Sequence, residues 1–345
     1  MINHKQVNLV SKILFISALL IVGLYFLSSL LTPLVFAAII SLLLLPICQK
    51  LESWKINRII SILAVLLMST VLVGIISFFF ISQFNNFLED FPNLQDKIEK
   101  SAGNFYQDLN QQLGLEVKDP VSFLQNNSSG LMSSGSKYLS KFFGATSGLI
   151  SFLTLVPIYC FLLLLYRNKF KNAFLDFFPS EKCKKIKTII VEIKETVQQY
   201  FLGLLIVISI IAVLNSIGLL ALGIKYSILL GVFSALLTVI PYVGVVVGGL
   251  IPVLIALVTK DSLWYPAGVV GIYWLVQFLE GNLITPKIVG AQVDLNALAV
   301  IFGLLAFGQL WGLIGLILAV PIIAVIKVVF SYSENLKPIA SMLGK

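Results

Sequence analysis

The chain has 345 residues, of which 58% are hydrophobic and only 12% charged, with a mean hydropathy of +0.99. So few polar groups cannot cover a soluble globular core, and the sequence reads as an all-α polytopic membrane protein. Its net charge of +8 is what lysine- and arginine-rich cytoplasmic loops beside anionic lipid produce, so the expected partner is the bilayer and no nucleic acid.

Lys5 and Lys12 precede a first span from about Ile13 to Leu31. The apolar run beyond Pro33 makes it a retained anchor rather than a cleaved signal. Thr32-Pro33 opens a second segment, Leu34 to Ile47, and a connector with Lys50, Lys55 and Arg58 leads to a third span, Ile59 to Ser82. Residues 1–83 are therefore read as N-terminal membrane helices. Residues 84–147 form a polar insert in which Phe84, Phe87, Leu88, Phe91, Leu94 and Ile98 recur at helical spacing. A fourth span, Leu149 to Tyr166, heads the segment 148–199. Its connector holds eight basic residues, from Arg167 and Lys169 to Lys194, against four acids. Within it Ile186, Ile189, Ile190, Ile193 and Val197 make a second amphipathic pattern. Both patterns fit interfacial helices or helices packed against the bundle. The positive-inside rule puts 167–199, the Lys50–Arg58 loop and both termini in the cytoplasm and 84–147 outside, although Lys137 and Lys141 argue the other way.

From Tyr200 to Phe330 only seven side chains are charged: Lys225, Lys260, Asp261, Glu280, Lys287, Asp294 and Lys327. A span needs roughly 20 apolar residues to cross about 30 Å of hydrocarbon. The segment 200–330 is read as a transport core broken by Gly and Pro, with spans at Phe201–Leu222, Tyr226–Ile240, Val243–Val258 and Leu263–Gly281. Leu298–Phe330, interrupted around Gly308-Gln309-Leu310-Trp311-Gly312, is too long for one span and too short for two. A re-entrant hairpin followed by a helix, through Gly315 and Pro321, fits it. The count is about eight transmembrane helices plus this hairpin, with residues 331–345 as a cytoplasmic tail.

Broken backbone at membrane depth survives only inside protein or beside a water-filled cavity, so the breaks point to a transport path. Pro241 withholds a donor from the carbonyl near Leu237, with Tyr242 and Gly244 beside it; a kink that only shapes packing is the alternative. Tyr273, Gln277 and Glu280 lie at i, i+4 and i+7 and share a helix face. A carboxylate near the end of an uncharged span is a functional candidate, unless it sits at the cytoplasmic interface, solvated or paired with Lys287. Asn282 and Pro286 follow, and Pro286 predicts that the backbone leaves helix at Thr285 and exposes carbonyls. Gln309, Trp311 and Asn215 are polar positions that hydrogen bonds between helices also explain. His4, the only histidine, rules out histidine zinc sites and Ser-His-Asp catalysis. Cys48, Cys160 and Cys183 have no metal or redox spacing. No G-x-x-x-x-G-K-[ST] run offers an ATP site, so no cofactor, no metal and no enzymatic activity are expected. A non-transporting scaffold is the competing class, against which the broken helices argue.

Three blocks together resemble the autoinducer-2 exporter family of permeases: Val239–Gly244, then Gln277–Asn282 with Thr285–Gly290, then Phe302-Gly303 through Gly312–Gly315 to Ala319-Val320-Pro321. The layout before them resembles it as well. One departure is Ala297, where members commonly carry Pro. The resemblance implies a multispan secondary transporter forming a homo-oligomer, a pentameric ring, with an elevator-like mobile domain. Some members are credited with exporting a signalling furanone and others with Na⁺ or Li⁺ exchange for protons. The expected cargo is accordingly a small polar solute or a monovalent cation.

Overall fold

The computed structural model describes residues 4–83, 85, 146–240, 243–260, 262, 264–288 and 294–344. Most of the expected insert 84–147 lies outside these residues, and so do Pro241 and Tyr242. Twelve α-helices make up the described chain, with no strand among the described residues. They are α1 (His4–Phe26), α2 (Ser28–Ser53), α3 (Arg58–Gln83), α4 (Thr146–Leu165), α5 (Arg167–Asp176) and α6 (Ser180–Ala221). There follow α7 (Ser227–Leu237), α8 (Val243–Thr259), α9 (Trp264–Leu279), a π-helical turn (Glu280–Ile284) and α10 (Thr285–Ile288). The chain closes with α11 (Ala297–Ser331) and α12 (Lys337–Leu343).

Five helices among the described residues are long and apolar enough to cross a bilayer, or six if the bent pair α4–α5 counts as one span. The expected eight are not found as full spans. Ser227–Leu237 has 11 residues and Val243–Thr259 has 17, about 16 and 26 Å at 1.5 Å per residue. Pro33 also does not open a helix; it lies inside α2, which begins at Ser28. The expected amphipathic helix 186–197 and the expected span 201–222 form one 42-residue helix, α6.

The chain divides into two compact units, one of Met1–Leu67, Gly148–Phe201 and Gln292–Lys345, the other of Met68–Ser147 and Leu202–Ala291. In the first, Ile39, Val197 and Leu318 form a buried cluster with Ile193 packed on it. The end of the 186–197 stripe, Ile193 and Val197, therefore packs on protein. Pro46 inside α2 has no N–H for the Leu42 carbonyl, and the Gln198 side chain of α6 donates to it at 2.5 Å. Arg167 pairs with Glu52 at 2.5 Å, and Arg58 donates to the Leu164 carbonyl at 2.7 Å, which ties the ends of α2, α3 and α4 together.

Straight, the 35 residues of α11 would reach about 52 Å, well beyond the roughly 30 Å of hydrocarbon. Gly312 breaks them with φ 62° and ψ −139°, a conformation closed to residues with a Cβ. The two arms then fold back on each other. A Cβ on Gly303 would meet Ile323, one on Gly308 would meet Leu316, and one on Gly315 would lie 1.8 Å from the Phe307 carbonyl oxygen. Near the open end Lys327 pairs with Asp294 at 2.6 Å. At the turn, Trp311 donates its indole N–H to the Leu24 carbonyl of α1 at 3.2 Å, a structural role. Asn296 caps the first arm by accepting the Ala299 N–H at 2.8 Å. Ala297 is thus the first helical residue, a position where proline fits without orphaning a carbonyl, so the departure from the family pattern leaves the hairpin intact. Asn296 also holds the chain's end, its side chain donating to Met342 O at 2.6 Å and its N–H to Leu343 O at 3.0 Å. Next to it Glu192 accepts a 2.5 Å hydrogen bond from Tyr332, which raises the phenol's pKa.

In the second unit α6 ends in a Schellman turn. Gly223, at φ 62°, donates to Leu220 O and Ile224 donates to Leu219 O. The helices that follow approach closely through small residues. A Cβ on Gly231 would lie 2.5 Å from the Ser216 backbone nitrogen, and one on Gly248 would lie 3.0 Å from Ser234 Cα. Val207, Ile211, Ala235 and Val276 fill the space between α6, α7 and α9.

Candidate functional site

The close approach of α6, α7, α8 and α9 leaves a small cavity of about 20 Å³ in the second unit. That is room for one water-sized species. Its polar lining comes from all sides: Asn215 of α6, Ser234 and Thr238 of α7, Tyr273 and Gln277 of α9, and Glu280 where the π-turn begins. Gly244 and Gly248 of α8 complete it, and Ile211 and Val276 supply apolar wall. Three of the residues expected on one helix face, Tyr273, Gln277 and Glu280, thus come together here with Gly244.

Proline chemistry explains part of the arrangement. Pro252, inside α8, cannot donate to the Gly248 carbonyl. The Ser234 hydroxyl stands 2.7 Å from that oxygen and 2.7 Å from the Tyr273 hydroxyl. It also stands 2.6 Å from the Leu230 carbonyl of its own helix, so its one proton goes to a backbone carbonyl, and of the two only that of Gly248 lacks a helical donor. Tyr273 then donates to Ser234 Oγ. Thr238 spends its proton on Ala235 O at 2.7 Å. Ser234 and Thr238 therefore spend their protons on backbone carbonyls, which leaves their oxygens as acceptors. Asn215 is 3% exposed, and its Oδ1 has no hydrogen-bond partner. With the Glu280 carboxylate the lining is rich in acceptors, and it holds no lysine or arginine. Such a lining suits a species that donates hydrogen bonds or carries positive charge, although the Asn215 and Gln277 amides also bring donors.

Among the described residues Glu280 forms no ion pair with Lys287, and it is part of the cavity lining. Past Glu280 the backbone differs from the expectation raised by Pro286. Thr285 keeps helical angles of φ −62° and ψ −44°, so the chain widens into a π-turn instead of leaving helix. The reason is local. The Thr285 N–H bonds to Glu280 O, five residues back, and Pro286 has no N–H to offer. The Gly281 carbonyl loses the donor an α-helix would give it. Asn282 is exposed and donates to Phe278 O at 2.9 Å, and Pro286 is exposed; neither lines the cavity.

The hairpin residues lie elsewhere. Gly308, Gly312, Gly315 and Pro321 shape the turn and arms of α11 in the first unit, with Pro321 fully buried, and Gln309 is exposed. Ser234 and Thr238 carry no signal in the sequence beyond Pro252's need for a donor.

Comparison with known proteins follows the same lines. Residues 14–335 match the family model described as AI-2E family transporter. The "Putative transport protein YueF" of Bacillus subtilis is 28% identical over 322 residues, covering 88% of this chain and 84% of that protein. The "AI-2 transport protein TqsA" of Escherichia coli is 23% identical over 330 residues, covering 94% and 92%. The chain belongs to the AI-2E family of membrane transporters.

Proposed function

We propose that this protein is a secondary transporter of the bacterial cytoplasmic membrane that exports a small polar solute along a path past Glu280. The observation that carries the proposal is the acceptor-rich cavity where four helices meet beside two backbone irregularities, the α7–α8 step and the π-turn. Irregular backbone and a carboxylate at membrane depth have little use in a scaffold. A relative whose name assigns it AI-2 transport makes an autoinducer-2-like signal the first solute to test. At about 20 Å³ the cavity is too small for such a solute, so passage requires the surrounding helices to move apart. The proposed topology keeps about eight crossings plus the α11 hairpin, with α7 and α8 as two short helices packed side by side. It also keeps 84–147 outside, both termini in the cytoplasm and a homo-oligomeric, pentameric assembly.

The size and acceptor character of the cavity favour a second reading, exchange of Na⁺ or Li⁺ for protons. One dehydrated cation fits the space, and oxygen ligands suit it. Both readings need a proton or ion gradient as the energy source and give Glu280 the coupling role. The test is gradient-driven transport into vesicles across a pH series, wild type against Glu280→Gln at matched protein content, with an autoinducer-2-like solute, Na⁺ and Li⁺ as cargoes. A pH dependence lost in the variant supports coupling, and the cargo moved by wild type separates the readings. Superimposable pH profiles reduce Glu280 to structure.

A further inference from the structure

We propose that α5 is a binding element for anionic phospholipid, seated in the bilayer surface with phosphate headgroups held by its lysines. The argument begins with its direction. The chain turns 66° between the last part of α4 and α5, so a helix leaving the end of a span runs across the span's axis. Arg167 opens α5 and is fixed at that bend by Glu52. Phe170, Phe174 and Phe177 follow at i, i+4 and i+7 and fall within about 60° of each other around the helix. They are 52%, 49% and 84% exposed, whereas Leu175, on the far side, is buried. Lys169 and Lys171 flank this aromatic stripe, one at each edge, and both are exposed. An aromatic stripe with cationic edges on a short polar helix is the pattern that lies in a membrane interface, rings among the upper acyl chains and ammonium groups at the phosphates.

A second copy of the chain suits this surface less well. The three rings offer roughly 300–400 Å² of apolar area. A stable interface takes about 800 Å² from each partner. The flanking lysines would also have to be desolvated. Lipid needs neither the larger area nor a matching acidic surface, because the headgroups supply negative charge continuously. The connector's eight basic residues against four acids extend the same field beyond α5.

The experiment uses the full-length protein with Cys183→Ser and Phe177→Cys, labelled with bimane; the other two cysteines, Cys48 and Cys160, are buried. The protein is reconstituted into vesicles holding brominated phosphatidylglycerol or, separately, brominated phosphatidylcholine in otherwise identical mixtures. The expected result is quenching by both lipids, with phosphatidylglycerol enriched around the label. Adding Lys169→Gln and Lys171→Gln should cut that enrichment by roughly tenfold or more, given the attraction of each basic residue to an anionic surface. Lys169→Arg with Lys171→Arg should keep it and so control for folding. Molar salt should weaken it, since screening shortens to about 3 Å. Equal quenching by the two lipids in the parent protein overturns the anionic preference. Quenching by neither means that protein covers the stripe and overturns the proposal outright.

Discussion

Gly244 is the residue whose replacement says most about the cavity. A Cβ built on it would lie 1.9 Å from the Leu237 oxygen, 2.2 Å from the Leu237 carbon and 2.5 Å from the Thr238 nitrogen. Ordinary van der Waals contact begins at 3.4 Å, so Gly244→Ala forces the end of α7 and the start of α8 apart by about 1.5 Å, the difference between 3.4 and 1.9. All three atoms are backbone, and no side-chain rotation relieves the clash. The Gly244 N–H also donates to Ile240 O at 3.1 Å, so the helix start cannot slide freely. Overpacking of this kind costs about 1–3 kcal/mol. Because Gly244, Thr238 and Gly248 line the same cavity, its shape changes with the shift. The expected outcome is a thermal unfolding midpoint several degrees lower in detergent and a reduced transport rate in vesicles. Two glycines of the same unit calibrate the result. Gly249→Ala meets only the Tyr273 ring at 3.4 Å, and at Gly271 nothing lies within 4 Å. The first should be near neutral, and the second should gain up to about 1 kcal/mol of helix propensity. If Gly244→Ala matches wild type in both midpoint and transport, the close α7–α8 approach is not a property of the protein, and the cavity argument fails with it.

Two further substitutions probe the hairpin. Gly312→Ala puts a Cβ on a residue at φ 62° and ψ −139° with nothing within 4 Å, so the penalty is backbone strain alone, about 1–3 kcal/mol, readable as a lower unfolding midpoint. A midpoint equal to wild type would mean that α11 is not folded back there. Asn296→Ala removes a helix cap, about 0.5–2 kcal/mol, and frees the carbonyls of Met342 and Gly344 from the side-chain amide, leaving only the backbone bond to Leu343. Amide hydrogen exchange over 337–344 should speed up while exchange in α9 stays unchanged, and unaltered exchange in the tail would sink the clamp.

The sequence makes some of this visible because the signals are local. Periodicity puts Tyr273, Gln277 and Glu280 on one face, and the structure keeps them there. The length of the last apolar region, with Gly312 near its middle, predicts a hairpin, and Gly312 supplies the break. Other features depend on distant partners. The stripe from Ile186 to Val197 has the period of an interfacial helix, but whether such a stripe meets lipid or protein depends on Ile39 and Leu318, more than 100 positions away in sequence. The helix with an exposed aromatic stripe, α5, is ten residues long and was hidden within a charged connector. The π-turn is not legible in the sequence, because Pro286 constrains its predecessor in two ways. Sterics favour extended backbone at Thr285, but the widened turn keeps the Thr285 N–H bonded to Glu280 O, which an extended residue would lose.

Interior prolines connect the two levels. Each one in a membrane helix orphans the carbonyl four residues back, and lipid offers no donor, so a side chain from elsewhere has to supply one or the helix bends open. Pro46 and Pro252 are both answered in this way, by Gln198 at Leu42 O and by Ser234 at Gly248 O. The demand can be read from sequence, whereas the donor that meets it is set by packing. At Pro252 the answer has a further effect. Ser234, which lines the cavity with Asn215 and Glu280, spends its proton on a backbone carbonyl and accepts one from Tyr273. A backbone repair in α8 therefore sets the polarity of the wall that a transported species would meet.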